Sequence, residues 1–111
     1  MARLESAVQA EIVAYLKRIP RTKVVRVISA SENGVSDLLV CHEGRFIAIE
    51  VKRHKSLVPD PEQIIFLNSV IAAGGQAIRA VGIFCVEDVL FNEMVGKEYF
   101  DLPKNLKFER L

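Results

Sequence analysis

Residues 37–52, DLLVCHEGRFIAIEVK, predict two β-strands joined by a tight turn, and this hairpin decides the fold. Both halves are rich in Leu, Val, Ile and Phe, and only Glu43-Gly44 separates them. Two residues are the commonest length of a hairpin turn, and glycine supplies the positive φ that such a turn requires. Counting outward from the turn places Asp37 opposite Glu50, at the end of the hairpin farthest from it.

The facing carboxylates of Asp37 and Glu50, called the acid pair below, need a physical explanation. Side chains directly opposite each other on paired strands have β-carbons about 4.5–5.5 Å apart, and like charges there are destabilising. Three explanations are open: the pair shares a proton, it binds a hard divalent cation such as Mg²⁺, or it is solvated at a frayed strand end. Lys52 favours the metal, because it projects from the same face as Glu50, where an ammonium can hold a metal-activated water.

The segments on either side of the hairpin predict an alternation of helices and strands. Leu4, Val8 and Ile12 recur at helical spacing before Pro20. The predicted elements are a helix at 3–18, strands at 23–29, 37–42, 45–52 and 76–82, and helices at 61–73 and 86–95. This αβββαβα order predicts an α/β fold with a mixed sheet flanked by helices. The tail from 97 to 111 is ambiguous, a short strand or an arm.

The start of the second helix has a clear local signal. Asp60 suits the N-cap, Pro61 the first helical position and Gln63 the reciprocal position of a capping box. Gly74-Gly75 then ends the helix. Gln63 therefore has a structural role available to it that is independent of any function.

Composition limits the class of protein. The 111 residues (12.4 kDa) predict one domain over 1–111, and 50% hydrophobic with 26% charged residues excludes a disordered chain. No apolar run approaches the roughly 18 residues of a membrane span, and the N-terminus lacks the pattern of a secretory signal. Cys41 and Cys85 lie in apolar strings, which predicts two buried thiols in a reducing compartment and no zinc site. We therefore expect a cytoplasmic protein without a membrane partner.

Charge is informative only through its distribution. The formal net charge of +1 is not a nucleic-acid signature, but residues 1–26 hold six basic residues against two acidic ones. A solvated helix end and loop explain this excess as well as a nucleic-acid interface does.

The ordered motifs resemble a known family. Gly34-Val35-Ser36-Asp37 followed by Glu50-Val51-Lys52 is similar to the PD-(D/E)XK nuclease signature, and the chain more narrowly resembles VRR-NUC (virus-type replication-repair nuclease) domains. The matching stretches are LESAVQAEIVAYLK, NGVSDLLV, IAIEVKR, PEQIIFLNSVIAAGG and AIRAV, within residues 4–95. The resemblance implies a restriction-endonuclease-like αβββαβ core with a mostly antiparallel sheet, followed by a C-terminal helix and a short extension at 97–111.

The resemblance also implies a metal site. Asp37 and Glu50 would bind Mg²⁺ directly, with Mn²⁺ able to substitute, and the backbone carbonyl of Val51 would complete the protein ligands. Lys52 would orient or activate the attacking water. Glu5 matches the family's acidic residue on the first helix, which reaches the metal through water, although a helix-dipole role explains it as well.

Further residues are expected near the substrate. Gln63 matches a glutamine placed near Lys52 or the scissile phosphate. Ser36 stands where the family has proline, and its hydroxyl could contact a phosphate. Basic side chains are the remaining DNA-binding candidates, although surface solubility explains each equally well: Arg53, Lys55, Arg3, Lys17, Arg18, Arg21 and Lys23.

The implied activity is metal-dependent hydrolysis of DNA phosphodiester bonds, without an organic cofactor. Stand-alone phage and bacterial members of the family resemble Holliday-junction resolvases, which implies branched DNA as substrate and a homodimer. Apolar residues of the last helix and tail would supply the dimer contact or complete the core of the monomer: Leu90, Phe91, Met94, Tyr99, Phe100 and Leu102. Two alternatives remain: a catalytically silent module that binds nucleic acid or a replication partner, and a sequence-specific restriction-type endonuclease.

Overall fold

The computed structural model describes residues 4–102. Within them the chain forms three helices and four strands in the predicted order αβββαβα. The elements are α1 (Glu5–Lys17), β1 (Thr22–Arg26), β2 (Leu38–His42), β3 (Arg45–Val51), α2 (Pro61–Ala72), β4 (Gln76–Ala80) and α3 (Ile83–Phe91). Arg3 and residues 103–111 lie outside the described residues.

The four strands form one mixed sheet in the order β1-β2-β3-β4. β2 is antiparallel to both β1 and β3, and β4 runs parallel to β3. His42 pairs with Arg45 and Leu38 with Ile49, which confirms the predicted register. The turn residues Glu43-Gly44 both have positive φ, 48° and 84°, as the twist of a two-residue hairpin requires.

The sheet has two unequal faces, because successive strand residues point to opposite sides. One face packs against α1 and α3 and carries the larger core, which includes Ile12, Leu16, Leu38, Ile47, Ile49 and Val89. On the other face α2 covers β3 and β4, with a core of Ala48, Leu67, Val70, Ile71 and Ala77. The β1–β2 half of that second face and the turn end of β3 stay open, so that Val25 of β1 and Phe46 of β3 are 49% and 46% exposed.

The first strand is shorter than predicted. β1 ends at Arg26 rather than Ser29, because its partner β2 begins only at Leu38 and Arg26 pairs with that residue. Val27 adds one further hydrogen bond, from its N–H to the carbonyl of Asp37 (2.9 Å), before the chain leaves the sheet.

The last helix begins and ends earlier than predicted, at 83–91 instead of 86–95. Asn92 has an extended backbone (φ −144°, ψ 107°), which ends the helix. The Arg45 guanidinium donates to the carbonyls of Val89 (3.1 Å) and Leu90 and to the side chain of Gln76. Arg45 thus satisfies carbonyl groups that every helix leaves unpaired at its C-terminus.

Burial corrects the predictions for the cysteines and for the apolar tail. Cys41 is exposed, because it lies on the open half of the sheet, and Cys85 is only partly buried. Leu90 belongs to the core and Phe100 packs against the core beneath α2. The four other apolar residues of the expected dimer contact are exposed: Phe91, Met94, Tyr99 and Leu102.

Among the helices of residues 4–102, none is both long and apolar enough to span a bilayer.

Candidate active site

The acid pair lies at the end of the sheet opposite the hairpin turn. Asp37 immediately precedes β2, and Glu50 is the sixth residue of β3. The confirmed register brings the two together, because Leu38 pairs with Ile49 one step closer to the turn. Lys52 follows β3 directly and projects from the same side as Glu50. The hairpin alone therefore assembles an Asp, a Glu and a Lys at one point.

Each carboxyl group of the acid pair accepts a hydrogen bond from a backbone N–H on the opposite side of the hairpin. The N–H of Asp37 donates to Oε1 of Glu50 (3.2 Å), and the N–H of Val51 donates to Oδ2 of Asp37 (2.8 Å). These two bonds fix both carboxyl groups across the strand pair. The arrangement is not a frayed strand end, since both side chains are ordered by the sheet itself.

The electrostatics of Glu50 are unfavourable for a bare carboxylate. The residue is 1% exposed, and burial, followed by the nearby charge of Asp37, raises its pKa from 4.5 to about 7. The Lys52 ammonium, with Nζ 3.5 Å from Oε2 of Glu50, acts in the opposite direction. Two carboxyl groups and one ammonium leave an excess of negative charge that a proton or a cation would neutralise.

The loop before Asp37 packs directly on the start of α2. Gly34 has φ of +81°, and a β-carbon at this position would overlap the backbone carbonyl of Glu62. Only glycine permits this close approach with this backbone conformation. The contact docks the loop that carries Asp37 against the first turn of α2, where Gln63 lies.

Gln63 has the predicted capping role. Its Oε1 accepts a hydrogen bond from the N–H of Asp60 (2.8 Å) at the start of α2. Across the part of the chain that the structure describes, no hydrogen bond joins Gln63 to Lys52. The expected placement of Gln63 beside the scissile phosphate stays a prediction.

Glu5 is not brought into contact with the acid pair. It is the exposed first residue of α1. Among residues 4–102, no three His, Cys, Asp or Glu side chains are grouped closely enough to hold a metal ion. A role for Glu5 through water therefore stays a prediction, and the two carboxyl groups are the side-chain ligands that the geometry offers.

The donor set of the acid pair fits a hard divalent cation. Mg²⁺ is typically bound by one or two carboxylates, with waters and substrate oxygens completing its shell. Asp37 and Glu50 provide two carboxylates, and the backbone carbonyl of Val51 lies in the same stretch of β3. Such an ion would lower the raised pKa of Glu50, because a bound cation stabilises the charged form of the carboxyl group.

The structure divides the DNA-binding candidates. Ser36 is fully buried and its hydroxyl donates to the carbonyl of Leu38 (3.0 Å), so the expected phosphate contact is wrong for this conformation. Arg53 and Lys55 are exposed in the loop that follows Lys52.

The other basic candidates are exposed at the turn end of the sheet: Lys17, Arg18, Arg21 and Lys23. Arg21 forms an ion pair with Glu43 of the hairpin turn (2.8 Å). Five strand residues separate that turn from Asp37, or about 17 Å at the rise of a β-strand.

Sequence reasoning did not identify Arg79. It is the partner of Glu50 on β4, and its Nη1 donates to the carbonyl of Leu57 (3.1 Å) in the loop between β3 and α2. A charged residue inside the otherwise uncharged strand segment QAIRA was the available signal. Its pairing with Glu50 could not be predicted from the sequence, because the register of a parallel strand depends on how the crossover helix packs.

A search of solved structures finds a chain described as a VRR_NUC domain. The TM-score is 0.67 at 22% sequence identity, and the match covers 78% of this chain and 92% of that chain. No protein-family model and no curated protein matches the sequence. The chain therefore has the fold of a VRR_NUC domain, as its ordered motifs implied.

Proposed function

We propose that this protein is a metal-dependent endonuclease that hydrolyses DNA phosphodiester bonds, acting on branched DNA such as Holliday junctions. The observation that carries the proposal is the acid pair with Lys52 beside it, held by the hairpin at the end of a sheet with the VRR_NUC fold. A protein that only binds DNA has no need for two carboxyl groups crowded against each other in a buried position.

Asp37, Glu50 and the backbone carbonyl of Val51 would hold Mg²⁺, for which Mn²⁺ would substitute. When bound, such an ion polarises a phosphate oxygen and lowers the pKa of a coordinated water. Within the chain itself, the hydrogen bonds from the N–H groups of Asp37 and Val51 keep both carboxyl groups in place before any ligand arrives. The site is thus preorganised.

Lys52 provides the positive charge of the proposed reaction. Its ammonium lies beside Glu50, where it can hold the attacking water and stabilise the negative charge that develops on the phosphate. The water oxygen would form a bond to phosphorus as the bond to the 3′ oxygen breaks, the water giving up a proton and the departing oxygen gaining one to become a 3′-hydroxyl. Arg53 and Lys55, exposed in the following loop, would contact the DNA backbone on the same side.

We favour branched DNA over a specific base sequence as the feature that is recognised, because of which DNA-reading units the described residues contain. Residues 4–102 contain no helix-turn-helix unit or zinc module that would enter the major groove. A symmetric dimer would place two sites on opposing strands of a junction. The exposed apolar residues Phe91 and Met94, at the end of α3 and just after it, are our candidates for the dimer contact.

The test compares a labelled four-way junction with a linear duplex of identical sequence, both with Mg²⁺. We expect nicks in the junction that disappear with EDTA and in the variants Asp37→Asn and Glu50→Gln. Glu93→Gln, which changes an exposed carboxylate elsewhere, is the matched control and should cut like the parent protein.

Two other outcomes would contradict the proposal. Binding of junctions without nicks, unchanged in the Asp37 and Glu50 variants, would indicate a silent binding module. Cleavage that follows a short duplex sequence regardless of branching would indicate a restriction-type enzyme. Sedimentation of the protein with and without Phe91→Ser separately tests the dimer.

A further inference from the structure

A groove of about 430 Å³ runs along the outer edge of β4, away from the acid pair's own strands. It forms where the chain after α3 turns back along the sheet, with the N–H of Ala77 bonded to the carbonyl of Gly96 (2.9 Å). The far wall is fixed by Asn68 of α2, whose side chain accepts from the N–H of Phe100 (2.8 Å) and donates to its carbonyl (3.1 Å). We call this space the edge groove; Arg79, Glu98, Tyr99 and Phe100 line it.

The edge groove adjoins the acid pair through Arg79. Arg79 and Glu50 are direct partners on neighbouring strands, whose backbones are about 4.8 Å apart. The Arg79 guanidinium also holds the carbonyl of Leu57, in the loop that carries Arg53 and Lys55. Arg79 thus connects the edge groove both to the acid pair and to the loop that carries the two basic residues.

The chemistry of the edge groove suits a nucleotide. Tyr99 is 61% exposed, so its ring contributes little to the core and offers a flat aromatic surface to a ligand. Aromatic rings on which bases stack, next to a cationic side chain for the phosphate, are the usual means of holding a single strand. The exposed carboxylate of Glu98 repels phosphate and can accept hydrogen bonds from the amino groups of bases. We therefore place the base beside Tyr99, next to Glu98, and the phosphate beside Arg79.

We propose that the edge groove binds an unpaired nucleotide of the DNA substrate, with the base stacked on Tyr99 and its phosphate against Arg79. This inference rests on the proposed function and adds a subsite to it. Unpaired nucleotides are present in flaps and gaps, and a four-way junction exposes one when a base pair at its centre opens, whereas a continuous duplex offers none. The groove would thus give the protein a means of recognising branched or partly single-stranded DNA without reading sequence.

The experiment measures binding of fluorescein-labelled oligothymidine and of a blunt duplex in EDTA, where a metal-dependent nuclease cannot cut. Tyr99→Ser should weaken oligothymidine binding about tenfold and leave duplex binding unchanged, because only an unpaired base can stack on the Tyr99 ring. Tyr99→Phe keeps the ring and should bind like the parent protein. Phe46→Ser removes another exposed aromatic, beside the hairpin turn, and should have no effect.

The outcomes separate this inference from the proposed function. Equal binding of oligothymidine by Tyr99→Ser and the parent protein would overturn the edge-groove site, even with junction cleavage intact. Equal losses in Tyr99→Ser and Phe46→Ser would overturn it too. Failure of the proposed function instead shows as a junction that remains uncut with Mg²⁺, whatever the oligothymidine result.

Discussion

Replacing Glu50 by Gln should make the metal-free protein more stable above neutral pH. Glutamine has nearly the same shape and keeps an oxygen that can accept the N–H of Asp37 (3.2 Å in the parent protein). It removes the charge that burial and Asp37 both disfavour. A substitution at a central polar residue is usually destabilising, so a gain in stability would be a specific signature of the acid pair.

The size of the gain follows from the pKa of Glu50, which is about 7 in the folded protein and 4.5 for the ordinary side chain. Between these pH values the folded state holds one proton more than the unfolded state, so the free energy of unfolding falls as pH rises. The contribution of Glu50 is complete below pH 4.5 and lost above 7, a change of about 3 kcal/mol. The variant lacks this loss.

Urea denaturation followed by circular dichroism, in EDTA across this pH range, measures the effect. The difference in unfolding free energy between Glu50→Gln and the parent protein should grow by about 3 kcal/mol from acid to mildly alkaline pH. Glu93→Gln should run parallel to the parent protein, because its side chain is exposed. A difference that stays constant with pH would refute the argument that Glu50 is a buried acid with a destabilised charge. Added Mg²⁺ should raise the free energy of unfolding of the parent protein above neutral pH, and it should leave that of Glu50→Gln unchanged.

Three further substitutions test neighbouring features. Gly34→Ala should lower the free energy of unfolding by more than about 1–2 kcal/mol, as measured by urea denaturation. The left-handed backbone alone costs that much for alanine, and the new methyl group also overlaps the Glu62 carbonyl. Arg45→Met should cost about 2–3 kcal/mol in the same assay, because the Leu90 carbonyl loses its Arg45 partner and the Val89 carbonyl keeps only the longer bond from Gln76 (3.4 Å); no loss would mean that water replaces the guanidinium. Lys52→Met should raise the pKa of Glu50 further, so that in EDTA the fall in unfolding free energy with pH moves to higher pH; an unchanged pH profile would show that Lys52 does not act on Glu50.

The hairpin could be predicted because its geometry depends on local chemistry. A turn of two residues has few conformations, and once it is placed the period of a β-strand fixes every partner as far as Asp37 and Glu50. The capping bond of Gln63 was predictable for the same reason, since it links residues three apart.

Other features depend on contacts between distant parts of the chain. Ser36 is polar and follows a glycine-containing turn, which is typical of an exposed residue, yet the docking of its loop on α2 buries it completely. The partnership of Arg79 with Glu50 requires the parallel crossover to set its register. Cys41 is exposed because α2 covers only half of its face of the sheet, and no pattern within one strand encodes that.

The acid pair comes from a single hairpin, with its two members 13 residues apart in the chain. Closing so short a loop costs little chain entropy, and such local pairings form early when a protein folds. The relative placement of the two acids is therefore insulated from the rest of the molecule. Insertions or exchanges in α3 and the segment after it would change the surroundings of the acid pair without separating its members, so that one hairpin can keep the same pair in chains with very different surfaces.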